Sequence, residues 1–270
     1  MKNSSFLKTF FSGFAGIAIP VLFVVSFFVY YNILGNPENF QGGNPANHPL
    51  PNNYLGIVYK GGIIVPILLT LLLSVITFTI ERFITISKSK GKGKIAAFVR
   101  GIYSHLSKPK EDFDAAIEAC DTQRGSVANV VKAGILKYRE MADNEQLNKD
   151  QKVVAIKQEI EEATSLELPM LEQNLVILAT IASIATLMGL LGTVIGMIKA
   201  FAALATAGAP DAVALANGIS EALVNTALGI ATSAFAIIFY NYFTTKIDKI
   251  SYSIDEAGVA LVQNFASKHK

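Results

Sequence analysis

One acidic side chain, Glu221, lies inside an otherwise apolar stretch of the chain, GISEALVNTALG (residues 218–229). It is the only Asp or Glu between Asp211 and Asp248, and the residues after it are apolar or small as far as Lys246. A carboxylate within hydrocarbon costs several kcal/mol unless it is protonated, paired with a cation or hydrated. The surroundings of Glu221 must therefore supply one of these three conditions.

Polar and small side chains share one face of the Glu221 segment when it is drawn as a helix. They are Asn217, Gly218, Glu221, Ala222, Asn225, Gly229, Thr232 and Ala236, with Thr226 and Ser233 at the edge. Leu223, Ile230 and Ile237 point elsewhere, which separates the polar face from lipid. The pattern predicts a helix that lines a partner helix or a wet cavity.

A plainer interpretation of this face is also open. Glu221 lies about 15 Å of helix beyond Asp211, so its carboxylate could reach water among the lipid headgroups. Thr and Ser hydroxyls can bond to carbonyls of their own helix. In that case the polar face serves packing alone.

A second apolar run, residues 173–198, carries a face of small residues. Within it, Gly192, Gly196 and Ala200 have the small-xxx-small spacing that lets another helix approach closely. We expect the small faces of the two segments to be packing surfaces that close a ring of identical subunits by head-to-tail contacts. The packing positions are Gly189, Gly192, Gly196, Ala200, Gly218 and Gly229.

The composition of the whole chain indicates a membrane protein. Of the 270 residues, 51% are hydrophobic and only 16% are charged, and the mean hydropathy is +0.42. A membrane-spanning helix needs about 20 apolar residues. Four runs meet this requirement: residues 9–37, 61–80, 173–198 and roughly 213–243.

The first run has two interpretations, a signal peptide or an uncleaved anchor. It is longer than a signal core and ends in YYNILGNPENF, without a small-x-small cleavage site. We expect an anchor.

Basic residues predict the orientation of the chain. The connection 35–59 has no Lys or Arg, whereas ERFITISKSKGKGK, after the second run, has five. The basic side faces the cytoplasm, which puts both termini there as well.

These patterns divide the chain into eight parts. We predict an anchor helix over 1–36, an outer loop over 37–60, a second membrane helix over 61–81, a cytoplasmic helical domain over 82–172, a third membrane helix over 173–204, an outer turn over 205–212, a fourth membrane helix over 213–243 and a cytoplasmic tail over 244–270.

The charged domain offers no set of residues suited to catalysis. The three histidines of the chain lie in separate regions, without a second ligand at metal spacing. The segment KSKGKGK lacks the spacing and the preceding strand of a phosphate-binding loop, and the acidic residues between Glu159 and Glu167 are most simply a solvated helix face. Acidic and basic residues balance in this domain, which gives no indication of nucleic acid. We expect no enzymatic activity, metal or cofactor.

The sequence also supports a prediction for Cys120 and one for the helix that contains Pro169. Cys120 is the only cysteine, and since no cationic neighbour is evident, a buried structural role is favoured over a reactive thiol. From Asn148 onward the sequence predicts one long helix that continues into the third membrane run, kinked but not ended at Pro169.

The motifs MGLLGTVIGMIKAF, GISEALVNTALG and IIFYNYF together resemble the paired motif of the ExbB/TolQ/MotA family of proton-driven motor subunits, and within it ExbB most. The resemblance is specific over residues 175–246. It implies an all-α polytopic membrane protein of the bacterial inner membrane whose subunits form a ring, a pentamer. It also implies that Thr193, Glu221 and Thr226 lie in the proton path, with Asn225 on the same face.

The resemblance also implies partners. These are an ExbD-like protein with a single span and an essential membrane Asp, a TonB-like force transmitter that crosses the periplasm, and membrane lipids. The implied function is to couple proton-motive force to energised outer-membrane transport. The alternatives are a TolQ-like or other stator subunit for envelope maintenance, and a purely structural membrane assembly protein.

The chain departs from the family pattern in two respects. Thr186 and Phe235 stand where members commonly have prolines, so the two helices are expected to be straighter. The first span is an addition to the usual three-helix plan.

Overall fold

A computed structural model describes residues 2–108, 111–205 and 211–268, with side chains from Gly13 onward. Most of the predicted outer turn, 205–212, lies outside the described residues. The helices are α1 (Lys2–Val29), α2 (Tyr54–Tyr59), α3 (Ile64–Ser89), α4 (Ile95–Leu106), α5 (Phe113–Gln123), α6 (Ser126–Asp143), α7 (Lys149–Glu172), α8 (Leu175–Leu204) and α9 (Ala212–Lys268).

The all-α membrane architecture is confirmed. Within the described ranges the chain forms helices, turns and one isolated β-bridge between Phe40 and Pro49, and no strand. Four segments are long and apolar enough to cross a membrane: Gly13–Leu34, Ile64–Ser89, Lys149–Leu204 and Ala212–Lys268.

The chain divides into two compact units. Residues 1–80 and 176–240 form one, called here the apolar unit, and residues 81–175 and 241–270 form the other, called here the polar unit. Both α3 and α9 contribute residues to each unit.

In the apolar unit, the connection that follows α1 is fastened to the end of that helix. A π-helical turn, Tyr30–Leu34, ends the span, and the Asn39 amide donates to the carbonyls of Ile33 and Leu34 at 2.8 and 3.0 Å. The Tyr30 ring stacks on Tyr59 with centroids 4.7 Å apart. These contacts satisfy carbonyls that the helix end leaves open, so the connection folds back on α1 instead of hanging free.

The polar unit has its own core of amphipathic helices. Tyr138 of α6 is fully buried, packs edge-on against Phe113 and Phe265, and donates its hydroxyl to Asn264 at 2.9 Å. Helix α7 begins with a capping box between Asn148 and Gln151. Aromatic packing and satisfied polar groups coincide here, so this unit has a packed core of its own.

The expected continuous helix through Pro169 is wrong in one respect. Pro169 lies inside α7, as predicted, but the helix ends at Glu172, because Gln173 is non-helical (ψ 138°) and Asn174 has a positive φ of 67°. Asn tolerates this left-handed conformation better than most residues, and α8 starts directly afterwards.

A buried ion pair fixes the end of α7. Arg82 is fully buried, pairs with the carboxylate of Glu81, and also donates to the carbonyls of Met170 and Leu171 at 3.4 and 3.1 Å. The guanidinium thus donates hydrogen bonds to carbonyls at the C-terminal end of α7, where the helix dipole favours a cation. Sequence periodicity could not reveal this long-range contact.

Cys120 is buried, in agreement with the structural role expected for it. Burial raises the pKa of its thiol to about 12, so the nucleophilic thiolate is scarce at neutral pH.

Candidate functional site

An ion pair with Lys199 makes the charge of Glu221 tolerable. The Lys199 ammonium on α8 lies 2.7 and 2.8 Å from the two carboxylate oxygens of Glu221 on α9. The Glu221 side chain is 8% exposed and that of Lys199 is 54% exposed. Of the three conditions under which a carboxylate persists in an apolar segment, the structure uses pairing with a cation.

The register of the α8–α9 hairpin brings this pair together. Lys199 and Glu221 lie nearly equidistant from residue 210, so two antiparallel helices place them side by side. Sequence reasoning missed Lys199 because it took this residue only as the end of an apolar run. A signal was present, since Lys199 is the only Lys or Arg between Lys157 and Lys246.

A glycine turn ahead of α3 covers the carboxylate. Gly62 has a φ of +73°, and a Cβ atom built on it would lie 2.5 Å from Oε1 of Glu221. One helical turn along α9, the amide of Asn225 donates to the carbonyl of Gly61 at 2.8 Å. The segment 61–62 therefore forms one wall of the site, which its sequence alone did not indicate.

The two predicted threonines meet between α8 and α9. The hydroxyls of Thr193 and Thr226 hydrogen-bond to each other. Each can also donate to a carbonyl of its own helix, Thr193 to Gly189 at 3.2 Å and Thr226 to Ala222 at 3.1 Å. A hydroxyl both donates and accepts, so the pair can exchange hydrogen-bond partners across the helix interface.

The glycines of α8 and α9 face one another. A Cβ atom on Gly196 would lie 2.6 Å from the backbone nitrogen of Ala222, and one on Gly218 would lie 2.6 Å from that of Ala200. Further along the interface, a Cβ atom on Gly189 would lie 3.1 Å from the Cα atom of Gly229.

The small faces of α8 and α9, which were predicted to pack between subunits of a ring, contact each other in the structure. Gly192 faces Asn225 of the same chain, so this small face makes a tight contact within one chain. The physical reason is that the two small faces complement each other and only a short connection separates them in the sequence.

The site thus combines several polar groups in an apolar setting. Asn225 is fully buried, and its Oδ1 atom has no hydrogen-bond partner among the described residues, as is also true of the buried Thr232 hydroxyl on the same face. Within the described part of the chain, no group of three or more His, Cys, Asp or Glu side chains could hold a metal ion. The interactions available to these groups are hydrogen bonding and ion pairing between α8 and α9.

Comparison with known proteins places this region in a described family. Residues 124–256, which include Thr193, Glu221 and Thr226, match the MotA/TolQ/ExbB proton channel family. The Tol-Pal system protein TolQ of Haemophilus influenzae is 27% identical over 207 residues, covering 73% of this chain and 87% of that protein.

Other relatives match shorter stretches. TolQ of Pseudomonas aeruginosa is 31% identical over 124 residues, covering 46% of this chain and 54% of its own length. The biopolymer transport protein ExbB of Salmonella typhimurium is 35% identical over 89 residues, covering 32% of this chain and 36% of its own.

Proposed function

Because the chain belongs to the MotA/TolQ/ExbB proton channel family, we propose that it is the scaffold and channel subunit of a proton-driven motor in the bacterial inner membrane. The observation that carries this proposal is the hydrogen-bonded Thr193–Thr226 pair beside the buried Glu221. A membrane protein of this family is a channel subunit and not an enzyme.

Two specific roles follow from the relatives. An ExbB-like subunit would couple proton-motive force to energised outer-membrane transport, which the 35% identity to ExbB proteins supports. A TolQ-like envelope-maintenance motor is supported by the similarity to TolQ over 73% of the chain. The proton chemistry proposed below is common to both roles.

We propose that the hydroxyls of the threonine pair form hydrogen bonds along the path of the moving proton. An Asp on an ExbD-like single-span partner would pass the hydroxyls of Thr193 and Thr226, which can accept and donate in turn. Glu221 would exchange its contact with Lys199 for a proton, so that the local charge changes as the proton passes. Asn225 would line the path beside them, because its Oδ1 atom is free to accept a hydrogen bond.

The assembly proposed around this site is a ring, a homopentamer, that encloses the partner spans. A TonB-like protein would transmit force, and lipids would surround the ring. The glycines of the α8–α9 interface would hold each subunit's pore wall rigid, since close helix packing leaves little room for displacement. The polar unit and both termini would lie in the cytoplasm, by the distribution of Lys and Arg.

Three substitutions test the proton path. Glu221→Gln keeps size and hydrogen bonding but removes titration, and Thr193→Val and Thr226→Val replace hydroxyls with methyl groups. We expect Glu221→Gln to abolish work driven by proton-motive force and each Thr variant to impair it, with assembly intact. Proton flux or energy-dependent uptake is measured in cells that express each variant equally, with the partner present.

The matched control is Thr180→Val. Thr180 lies on α8, is exposed, and its hydroxyl bonds only to the carbonyl of Val176 at 2.7 Å, so this variant should keep full activity. Full activity of both Thr193→Val and Thr226→Val would contradict the path. A purely structural assembly protein predicts instead that Glu221→Gln is tolerated and that only bulky substitutions are harmful.

Isolation from native membranes distinguishes the two specific roles. Purification of the full chain at low detergent concentration should retain a single-span protein with a membrane Asp. The identity of the periplasmic protein that comes with it, a force transmitter for transport or an envelope-maintenance component, assigns the system.

A further inference from the structure

A cavity of about 250 Å³ lies in the polar unit between the end of α3 and the middle of α9. Its floor is apolar and buried, formed by Ile86, Phe243 and Ile250. Two exposed aromatic rings, Phe83 and Tyr242, stand at one end with an interplanar angle of 3° and centroids 6.2 Å apart. The cavity therefore offers an apolar base and a flat aromatic wall.

Three lysines line the same cavity: Lys90, Lys246 and Lys249. Among the described residues, none of the three forms an ion pair, and no Asp or Glu lines the cavity. The Lys246 ammonium lies 5.3 Å from the centroid of the Tyr242 ring. The positive charge of this cavity is thus left uncompensated by the described part of the chain.

Along both helices, the residues that line the cavity change from aromatic to basic in the direction of the chain. On α3 the order is Phe83, then Ser87, with Lys90 directly after the helix end, and on α9 it is Tyr242, then Lys246, then Lys249. Phe83 lies three residues after the apolar run that ends at Ile80, and Tyr242 lies two residues after the one that ends at Tyr240. The lysines lie one to two turns further along the chain than these aromatic residues. Aromatic side chains favour the border of the hydrocarbon, and lysines beyond them lie at the depth of lipid phosphates.

We propose that this cavity binds the headgroup of an acidic phospholipid. The lipid phosphate would lie among Lys90, Lys246 and Lys249, and the glycerol and first acyl carbons would lie against Phe83 and Tyr242. Basic pockets beside transmembrane helices bind anionic headgroups by this combination of charge and apolar contact. A soluble phosphate would use the lysines but would leave the exposed aromatic wall uncovered, so the lining favours the lipid.

The test uses the full chain, purified in mild detergent, stripped of lipid and titrated with phosphatidylglycerol or phosphatidylcholine. Bound lipids are counted by native mass spectrometry. The variant Lys90→Gln/Lys246→Gln/Lys249→Gln should bind phosphatidylglycerol roughly a hundredfold more weakly, from about fivefold for each lysine. Binding of phosphatidylcholine should not change.

The matched control removes the same charge outside the cavity. Lys88→Gln/Lys92→Gln/Lys94→Gln alters three exposed lysines of the neighbouring segment and should bind phosphatidylglycerol as the unaltered protein does. An equal loss in both triple variants would overturn the proposal in favour of diffuse attraction. Unchanged binding by the cavity variant would also overturn it.

Two further outcomes separate other occupants. If glycerol 3-phosphate displaces phosphatidylglycerol at comparable concentration, the cavity is a site for small anions. If the cavity variant changes the oligomeric mass while lipid binding stays constant, the cavity is covered by a second copy of the chain. Either result would overturn the lipid assignment, and neither depends on whether the chain conducts protons.

Discussion

At the scale of single residues, the Lys199–Glu221 pair is asymmetric. Glu221 is buried, whereas about half of the Lys199 side chain is exposed. The ammonium can turn toward the protein surface if its partner is lost, whereas the buried carboxylate has no such freedom. Loss of the lysine should therefore cost more stability than loss of the acid, because it leaves a buried charge without a partner.

Lys199→Met tests this asymmetry. We expect it to destabilise the protein by about 2 kcal/mol, less than for a fully buried pair because Lys199 is half exposed. Glu221→Gln should cost clearly less, and the double variant should recover most of the loss. Thermal unfolding of the detergent-solubilised protein measures all three. Equal losses for the two single variants would show that the pair does not carry the stability of the site.

Gly62 provides a second test at this scale. Gly62→Ala places a Cβ atom against Oε1 of Glu221, and its φ of +73° is strained for alanine. Gly43→Ala has nearly the same strain, with a φ of +67°, but nothing within 4 Å of its Cβ atom. Both variants should lose roughly 1 kcal/mol of stability, but only Gly62→Ala should impair proton-dependent work. Equal activity of the two would show that the Gly62 turn does not position Glu221.

The residues of the site differ in how far the sequence predicts them. Thr193, Glu221 and Thr226 stand in motifs, and Asn225 follows from the helical period, so each can be named from the sequence. Lys199 stands out in the sequence as an isolated cation, but its pairing with Glu221 depends on the register of a hairpin. Gly62 cannot be named, because its contact joins positions more than 150 residues apart along the chain. The local sequence pattern predicts which types of side chain share a helix face. Which residues contact that face is decided only by the tertiary structure.

At the scale of elements, the α8–α9 interface rests on backbone contact at its glycines. Gly196→Ala would bring a Cβ atom within 2.6 Å of backbone atoms of Gly218 and Ala222, which no side-chain rotation can relieve. The helices must separate, so we expect a loss of about 2 kcal/mol and weaker proton-dependent work. Thermal unfolding and energy-dependent uptake measure the two effects.

Gly16→Ala is the control for this substitution. Gly16 lies on α1 with nothing within 4 Å of a Cβ atom, so alanine there should be neutral or stabilise the helix by up to about 1 kcal/mol. If the two alanine variants behaved alike, helix propensity and not close packing would account for the result at Gly196.

The end of α7 depends on the guanidinium of Arg82. Arg82→Met leaves Glu81 buried without a cation and leaves the carbonyls of Met170 and Leu171 without their donor. We expect a loss of about 3 kcal/mol or more, seen as a lower unfolding temperature. Arg100→Met, at an exposed position of α4, should change stability by less than about 0.5 kcal/mol. Similar losses at the two positions would contradict the role given to the buried pair.

The elements themselves were largely predictable. Charge-free runs indicated four spans because hydrocarbon excludes charge over a fixed length. The break at Gln173–Asn174 was not predictable, since the stretch around it has a helical period. It becomes intelligible only once Arg82 and Glu81, distant in sequence, are seen beside it.

At the scale of the whole molecule, orientation follows from charge. The connection 35–59 has no Lys or Arg, and the segment after the second span is basic, so the polar unit should face the cytoplasm. Asn44 and Lys92 are both exposed and stand on the two sides that the proposal separates. Single cysteines at these positions, in a Cys120→Ala background, can report which side each occupies.

Labelling with a membrane-impermeant maleimide provides the measurement. In intact spheroplasts the cysteine at position 44 should react and that at position 92 should not, whereas both should react after the membrane is opened. Native Cys120 should stay unlabelled even in opened membranes at neutral pH, since burial raises the pKa of its thiol to about 12, and should react once the protein is denatured. Labelling of position 92 but not of position 44 in intact spheroplasts would invert the topology and place the polar unit in the periplasm.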